Sequence, residues 1–350
     1  VSLVFGALHF VRLRGWLNVM LLLVRVLPGA LAPVWALCGL VAAALGWNSR
    51  RPLVAAGGLL GLAASGQYMA RVGQAAAPYG IPRPAWPASP QVTRDIVIHT
   101  TVCPPPAGGG PRPIYADLWL PGQGVARSGV GVVYLHGSAW YLGDKGQMTD
   151  GLFRPIVGAG HVLLDVAYRM CPETDLRGMV ADAQAAVAWL QDHAAEYGVD
   201  PRRIVLSGTS AGGHIALLAA YTMDRPDLRA SELAGRDLAV AGVFTISAPV
   251  HAGLMLEHNP GMIESAHPRS GLAYDPLTDH DPLVPPGPAA SLAEKQRWNL
   301  AQWRRVNGLL RDLLGGGPDD VPEMFALATV ETHVRPDVPP TLLIQGDQDM

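Results

Sequence analysis

The sequence has few charged residues, and its first quarter has no acidic residue at all. Asp, Glu, Lys and Arg make up 16% of the 350 residues, whereas they make up roughly 25% of an average soluble protein. Residues 1–90 contain seven arginines, no lysine and no acid, which leaves 19 basic and 29 acidic residues in residues 91–350. Because this larger part carries a net negative charge, we expect no nucleic-acid partner.

Cysteine is also scarce. Cys38, Cys103 and Cys171 lie far apart and include no C-x-x-C pair, so they predict neither a disulfide framework nor a zinc site. The sequence has no H-x-x-x-H on a predicted helix, no cluster of Cys and His, and no glycine-rich phosphate loop after a strand. We therefore expect no metal and no cofactor.

Two long apolar runs dominate the first 71 residues. Residues 30–47 and 52–70 contain no charge and are separated by a short turn with Arg50 and Arg51. Each run approaches the roughly 20 residues that a bilayer-spanning helix needs, which predicts a transmembrane helical hairpin. We expect residues 16–27 to form either a third span or an interfacial helix. A buried hairpin of a soluble protein is the alternative, whereas a secretory signal has a single, shorter apolar run.

This membrane segment predicts an integral membrane protein with an N-terminal anchor. Arginines flank both ends of the hairpin and also occupy its turn, so the side of the membrane stays open. Residues 72–92 are rich in Pro, Ala and Gly without periodicity, which is typical of a linker.

Residues 93–350 show the pattern of an α/β domain. The segments 95–101 and 114–120 alternate and predict an antiparallel pair of strands. Continuous apolar runs then predict strands buried on both faces, which are typical of a parallel sheet; these runs are 130–135, 161–166, 204–207 and 240–247. Helical periodicity falls between them, as in a doubly wound, mostly parallel sheet. We expect residues 251–335 to form a cap region.

The segment Gly208-Thr209-Ser210-Ala211-Gly212 matches G-x-S-x-G between a predicted strand and a predicted helix. In that context a serine lies on a tight, strained turn and its hydroxyl projects above the sheet. The flanking Gly208 and Gly212 let neighbouring chain pack closely. We predict that Ser210 is a nucleophile.

Another predicted strand ends in His136-Gly137-Ser138-Ala139-Trp140. Small residues after a strand allow backbone N–H groups to face a developing oxyanion. We expect the oxyanion hole to be formed by this loop, with Gly137 for close approach and the amides of Ser138 and Ala139 as donors, together with the amide of Ala211. His136 and Trp140 are predicted to organise the loop.

Together HGSAW, AYRMCPE (167–173) and GTSAGG (208–213) resemble the hormone-sensitive-lipase-like branch of the α/β-hydrolases, which includes small bacterial carboxylesterases and kynurenine formamidase-like enzymes. The resemblance covers about residues 95–250 and 338–350. Two departures are Ser138 in place of the second glycine of the oxyanion loop and Ala167 in place of the aspartate of the D-Y-R segment.

The resemblance also implies an acid and a base. The family's acid follows a late strand as G-x-x-D, which places it at Asp349, with Asp347 as the second choice. The order in this fold is Ser, acid, His, so we expect the base to be a histidine after Met350 and the chain to be incomplete at its C-terminus.

These observations predict a membrane-anchored serine hydrolase that cleaves small, lipophilic carboxylic esters. An arylformamide or small-amide hydrolase is an alternative, because HGSAW is close to the H-G-G-x-W variant of the oxyanion loop. Two further alternatives stay open: a non-catalytic hydrolase-fold binding protein, and a membrane module that the larger domain regulates.

Overall fold

The computed structural model describes residues 32–76, 89–102, 110–137, 139–146, 150–171, 173–258, 287, 289–291, 293–294 and 309–346. The chain divides into two compact units, residues 1–84 and residues 85–350.

Two helices form the described part of the first unit, α1 (Ala32–Asn48) and α2 (Pro52–Ala76). They pack backbone against backbone: a Cβ on Gly39 would lie 2.7 Å from the Leu62 nitrogen, and one on Gly58 would lie 2.4 Å from the Ala43 nitrogen. Close packing through glycine is typical of helices that associate within membranes. The predicted segment 16–27 lies outside the described residues.

Helix α2 alone meets the length and composition needed to cross a bilayer, over Pro52–Arg71, within the part of the chain that the structure describes. Helix α1 has 17 residues, or roughly 25 Å at 1.5 Å per residue, which is shorter than a typical hydrocarbon core. Helix α2 continues to Ala76, so the helix extends into the stretch 72–92 that we expected to be a linker, and the first strand already begins at Gln91.

The second unit contains a seven-stranded sheet within its described residues, in the order β1-β2-β4-β3-β5-β6-β7. The strands are β1 (Gln91–Val102), β2 (Pro111–Leu120), β3 (Gly129–Leu135), β4 (Val162–Ala167), β5 (Val199–Thr209), β6 (Gly242–Ile246) and β7 (Thr341–Ile344). Strand β2 is antiparallel to β1 and β4, and every pairing from β4 to β7 is parallel. The predicted mostly parallel sheet is confirmed.

Helices cover both faces of the central strands, whereas the residues of the edge strand β7 are exposed. The helices are α3 (Asp150–Gly158), α4 (Leu176–Asp192), α5 (Ala194–Tyr197), α6 (Ala211–Tyr221), α7 (Ala252–His258), α8 (Leu309–Leu314) and α9 (Pro322–Ala328). Helices α4 and α6 contribute to the larger core, whereas Phe153 and Val157 of α3 pack in a second core with Trp119 and Tyr134. Burial on both faces explains the continuous apolar runs of the central strands.

Most of the expected cap, residues 251–335, lies outside the described residues. Its described C-terminal part does not stand apart from the sheet, because Leu313 of α8 and Phe325 of α9 belong to the larger core. The backbone N–H of Val330 also donates to the carbonyl of Val250, which follows β6.

Candidate active site

Ser210 occupies the turn between β5 and α6. Its φ of +50° and ψ of −123° are outside the regions that non-glycine residues favour, and its side chain is exposed. Two backbone hydrogen bonds hold this conformation: the Ser210 N–H donates to the carbonyl of Ile246 at 2.9 Å, and the His214 N–H donates to the carbonyl of Ser210 at 3.0 Å. Strain of this kind persists where surrounding contacts impose it, and it concentrates at functional sites.

The glycines of the pentapeptide allow the tight turn. A Cβ on Gly208 would lie 2.5 Å from the carbonyl carbon of Gly212, and one on Gly212 would lie 2.2 Å from the carbonyl oxygen of Leu135. Neither distance is compatible with a side chain. The start of α6 therefore packs directly on the end of β3, where the predicted oxyanion loop begins.

The loop after β3 lies beside Ser210, the predicted nucleophile. A Cβ on Gly137 would stand 3.3 Å from the Cβ of Ser210. Ala139 and Trp140 follow with φ values of +56° and +62°, so the chain turns sharply here. The Trp140 ring is buried with its edge toward His214, at 5.5 Å between ring centroids. Ser138 lies outside the described residues.

His136 is fixed in a way that fits the organising role predicted for it. Its Nδ1 is 2.8 Å from the carbonyl oxygen of Gly137, its ring stacks on Tyr168, and the Tyr168 hydroxyl donates to the His136 carbonyl at 2.8 Å. Burial lowers the pKa of His136. A buried, neutral imidazole that bonds to its own loop is a structural element of that loop.

The other described histidine near Ser210 is also engaged. His214 Nε2 is 2.7 Å from the carbonyl of Ala328, and burial lowers the His214 pKa to about 4. The remaining described histidine rings have partners elsewhere: His99, His161, His193, His251 and His333. None of these seven histidine rings, that of His136 included, forms a hydrogen bond with Ser210.

The predicted acids, Asp347 and Asp349, lie outside the described residues, but the strand before them is described. Ile344, the last residue of β7, pairs with Ile246 of β6, which in turn pairs with Thr209 of β5. Strand β7 therefore ends on the same side of the sheet as Ser210, at the carboxyl ends of the parallel strands. Only β6 lies between β7 and β5.

A buried ionic cluster fixes the far end of the predicted oxyanion loop, and sequence reasoning missed it. The Gly146 N–H donates to Asp165 at 2.6 Å, and Lys145 forms ion pairs with Asp95 and Asp117. Asp117 and Asp165 face each other across β2 and β4. An acidic residue inside two otherwise apolar strands was the signal that could have revealed the cluster.

Two groups of this cluster have shifted pKa values. Burial raises the pKa of Asp165 to about 8, and the nearby Asp117 carboxylate adds to the shift. Burial alone would lower the pKa of Lys145, but its bonds to Asp95 and Asp117 raise it. Both shifts favour the proton-bound forms of Lys145 and Asp165, the two groups that fasten this end of the loop.

A serine with a positive φ, on a turn from a buried parallel strand into a helix, is the geometry of the nucleophile elbow of α/β-hydrolases. Residues 116–271, which contain this turn and the loop after β3, match the model of the BD-FAE family. Among curated proteins, the chain is similar to esterase LipQ of Mycobacterium tuberculosis, with 29% identity over 206 residues that cover 51% of this chain and 49% of LipQ. Carboxylesterase NlhH of the same organism is 39% identical over 89 residues, which are 25% of this chain and 28% of NlhH.

Among solved structures, the chain is similar to an inhibited esterase B from Lactobacillus rhamnosis, with a TM-score of 0.48, 20% identity, and coverage of 81% of this chain and 74% of that one. The chain spans about half the length of LipQ and a smaller share of NlhH. Both of these curated relatives carry esterase names.

Proposed function

We propose that the chain is a serine hydrolase that cleaves carboxylic esters through an acyl-enzyme on Ser210. One observation carries the proposal: Ser210 is exposed with a strained backbone at the carboxyl end of β5, and Gly208 and Gly212 make that turn sterically feasible. This is the arrangement that an elbow nucleophile needs. The esterase names of LipQ and NlhH support the same chemistry.

In the proposed reaction, the Ser210 Oγ attacks the ester carbonyl carbon while a base takes its proton. The amides of Ser138, Ala139 and Ala211 stabilise the negative oxygen of the tetrahedral intermediate. As the first residue of α6, Ala211 has an N–H without a partner inside the helix. The bond between the carbonyl carbon and the alcohol oxygen then breaks, and the base returns the proton to the leaving alcohol. Water repeats the sequence, which releases the acid and restores Ser210.

We assign Asp349 as the residue that orients the base and stabilises its charged form. The position of the β7 terminus at the Ser210 edge of the sheet supports this assignment. The base is a histidine whose side chain lies outside the described part of the chain, since the described histidine rings have partners elsewhere; the prediction that it follows Met350 stays a prediction.

Hydrolysis of p-nitrophenyl acetate and p-nitrophenyl butyrate tests this proposal. Ser210→Ala should lower kcat by about 10⁴-fold or more, because the nucleophile is lost. Ser231→Ala, which removes an exposed serine hydroxyl from the same unit, should leave kcat within about twofold. Turnover by Ser210→Ala that matches the wild type would contradict the proposal.

We also propose that the first unit anchors the protein in a membrane, where lipophilic esters accumulate. The outward face of the two helices carries large apolar side chains such as Leu37, Trp47, Leu53 and Leu60, each more than half exposed. Burying this surface in hydrocarbon would contribute about 25 cal/mol per Å². Helix α2 supplies the required length.

Flotation of the full chain with phosphatidylcholine vesicles, after a carbonate wash, tests the anchor. The wild type should float with the vesicles, and Leu53→Asp combined with Leu60→Asp should reduce the floating fraction severalfold, because each charge is costly inside a bilayer. Asn48→Asp, at the polar end of α1, serves as the control. Recovery of the wild type in the soluble fraction would contradict the anchor.

A further inference from the structure

A hydrogen bond links the two strands that carry the proposed catalytic loops. The hydroxyl groups of Tyr134 and Thr209 lie 2.8 Å apart. Tyr134 stands two residues before His136 on β3, and Thr209 is the last residue of β5, directly before Ser210. The two strands are parallel neighbours, so this bond joins them where both loops leave the sheet.

The tyrosine side of this bond is rigid. Tyr134 is 2% exposed, and its ring packs edge-on against Phe153 with ring centroids 4.8 Å apart. Burial raises the pKa of Tyr134, with a further contribution from the Asp165 carboxyl group on the adjacent strand, so the hydroxyl keeps its proton. The phenol is thus a buried polar group held by its packing against Phe153.

The threonine side reaches both loops. The Thr209 carbonyl oxygen is 3.0 Å from the Cβ position of Gly137, and the Thr209 Oγ1 is 3.5 Å from it. Thr209 therefore lies between the Tyr134 hydroxyl and the oxyanion loop, and its carbonyl belongs to the peptide group that leads into the strained Ser210. A rotation of the peptide group between Thr209 and Ser210 would move Ser210 relative to Gly137.

We propose that Tyr134 and Thr209 are positioning residues, which set the spacing between the Ser210 nucleophile and the oxyanion loop. The inference rests on the proposed serine-hydrolase function. Neither hydroxyl takes a proton from the substrate in this proposal. Their hydrogen bond keeps the turn at Ser210 at a fixed distance from the loop that begins at Gly137. An error of about 1 Å in such spacing costs about 100-fold in rate.

A double-mutant cycle on the full chain tests the inference, with kcat and KM for p-nitrophenyl acetate and the rate of labelling by a fluorophosphonate probe as readouts. Tyr134→Phe and Thr209→Val each remove one hydroxyl and keep the side-chain shape. Each should lower kcat and the labelling rate about 10- to 100-fold with KM within about twofold. Because both remove the same bond, the double variant should lose little more than either single variant. Thr209→Ser should restore most of the rate.

The chain offers a matched control at the opposite end of the sheet. The Tyr221 hydroxyl also lies 2.8 Å from a threonine hydroxyl, that of Thr341 at the start of β7. Tyr221→Phe and Thr341→Val remove the same type of bond far from Ser210 and should leave kcat within about twofold, even where they lower Tm by as much as Tyr134→Phe does.

The outcomes separate the inference from the function on which it rests. If the wild type is labelled at Ser210 but Tyr134→Phe and Thr209→Val change kcat no more than the Tyr221 and Thr341 controls, the positioning role is wrong and the proposed function stands. If the rate losses of the single variants multiply in the double variant, the two hydroxyl groups act independently. The hydrogen bond between them then does not position Ser210, and the inference is wrong. If the wild type is neither labelled nor active, both proposals are wrong.

Discussion

Gly137 and Ser210 are in contact although they are 73 residues apart in the sequence. A Cβ on Gly137 would stand 3.3 Å from the Cβ of Ser210 and 3.0 Å from the carbonyl oxygen of Thr209. Both distances are shorter than most Cβ contacts in proteins, so position 137 leaves little room for a side chain. The loop that follows β3 and the turn that follows β5 therefore form one surface.

This contact predicts the effect of Gly137→Ala. The added methyl group would push the loop away from Ser210 by a few tenths of an ångström, and the oxyanion donors would move with it. We expect kcat for p-nitrophenyl acetate to fall about tenfold or more, while Tm shifts by only a few degrees. Unchanged kcat would show that the loop does not hold the oxyanion.

Gly212→Ala should prevent folding rather than merely slow the reaction. Its Cβ would lie 2.2 Å from the carbonyl oxygen of Leu135 and 2.3 Å from that of His136, both of which are backbone atoms. Gly151→Ala is the matched control, since Gly151 is also the second residue of a helix and its Cβ would meet nothing within 4 Å. Soluble yield and circular dichroism should show loss of structure for the first variant and a native spectrum for the second. Equal behaviour would contradict the packing of α6 on β3.

Two Arg–Asp pairs of similar geometry should differ sharply in their contribution to stability. Arg169 pairs with Asp182 at 2.7 Å with side-chain exposures of 6% and 1%, whereas Arg236 pairs with Asp192 at 2.6 Å with exposures of 34% and 52%. Arg169→Met leaves the buried Asp182 carboxylate without its charged partner, which costs about 3–5 kcal/mol, although the backbone N–H of residue 169 still donates to it. Arg236→Met should cost less than about 1 kcal/mol. Urea unfolding measures the free energy of unfolding of each variant. Similar losses of stability in the two variants would contradict burial as the reason for the difference.

Asp165 should make the protein less stable as the pH rises. Its folded-state pKa of about 8 lies above the ordinary value of 3.8, so between these values the folded state binds a proton that the unfolded state has released. The free energy of unfolding should therefore fall with a slope of up to about 1.4 kcal/mol per pH unit from this group. Asp165→Asn, a neutral residue of the same shape, should flatten the pH dependence of stability between pH 5 and pH 8. The idea fails if the wild type and this variant lose stability in parallel.

Much of the sheet could be predicted because its strands are continuous apolar runs. The run 130–135 corresponds to β3 and the run 161–166 to β4, each within one residue at either end. Strand β5 begins at Val199, five residues before the predicted start, because the polar segment before Ile204 gives no apolar pattern even though Val199 pairs with Gly129. Pairing between strands can extend an element beyond its hydrophobic signal.

The candidate site was predictable to the extent that it is local in sequence. The glycines around Ser210 lie two residues from it, so a pentapeptide and its strand-turn-helix context were enough to identify the turn. The bond between Tyr134 and Thr209 joins residues 75 positions apart, and only the register of β3 and β5 brings them together. The roles of Ser138 and Asp349 stay predictions, since both residues lie outside the described part of the chain.

The most direct test of the account is the intact mass of the full protein after reaction with a fluorophosphonate probe. We predict a single covalent adduct on the wild type and on Ser231→Ala, and none on Ser210→Ala, because only an activated serine reacts readily with this probe. A wild type without an adduct, or an adduct that persists in Ser210→Ala, would contradict the assignment of Ser210 as the nucleophile.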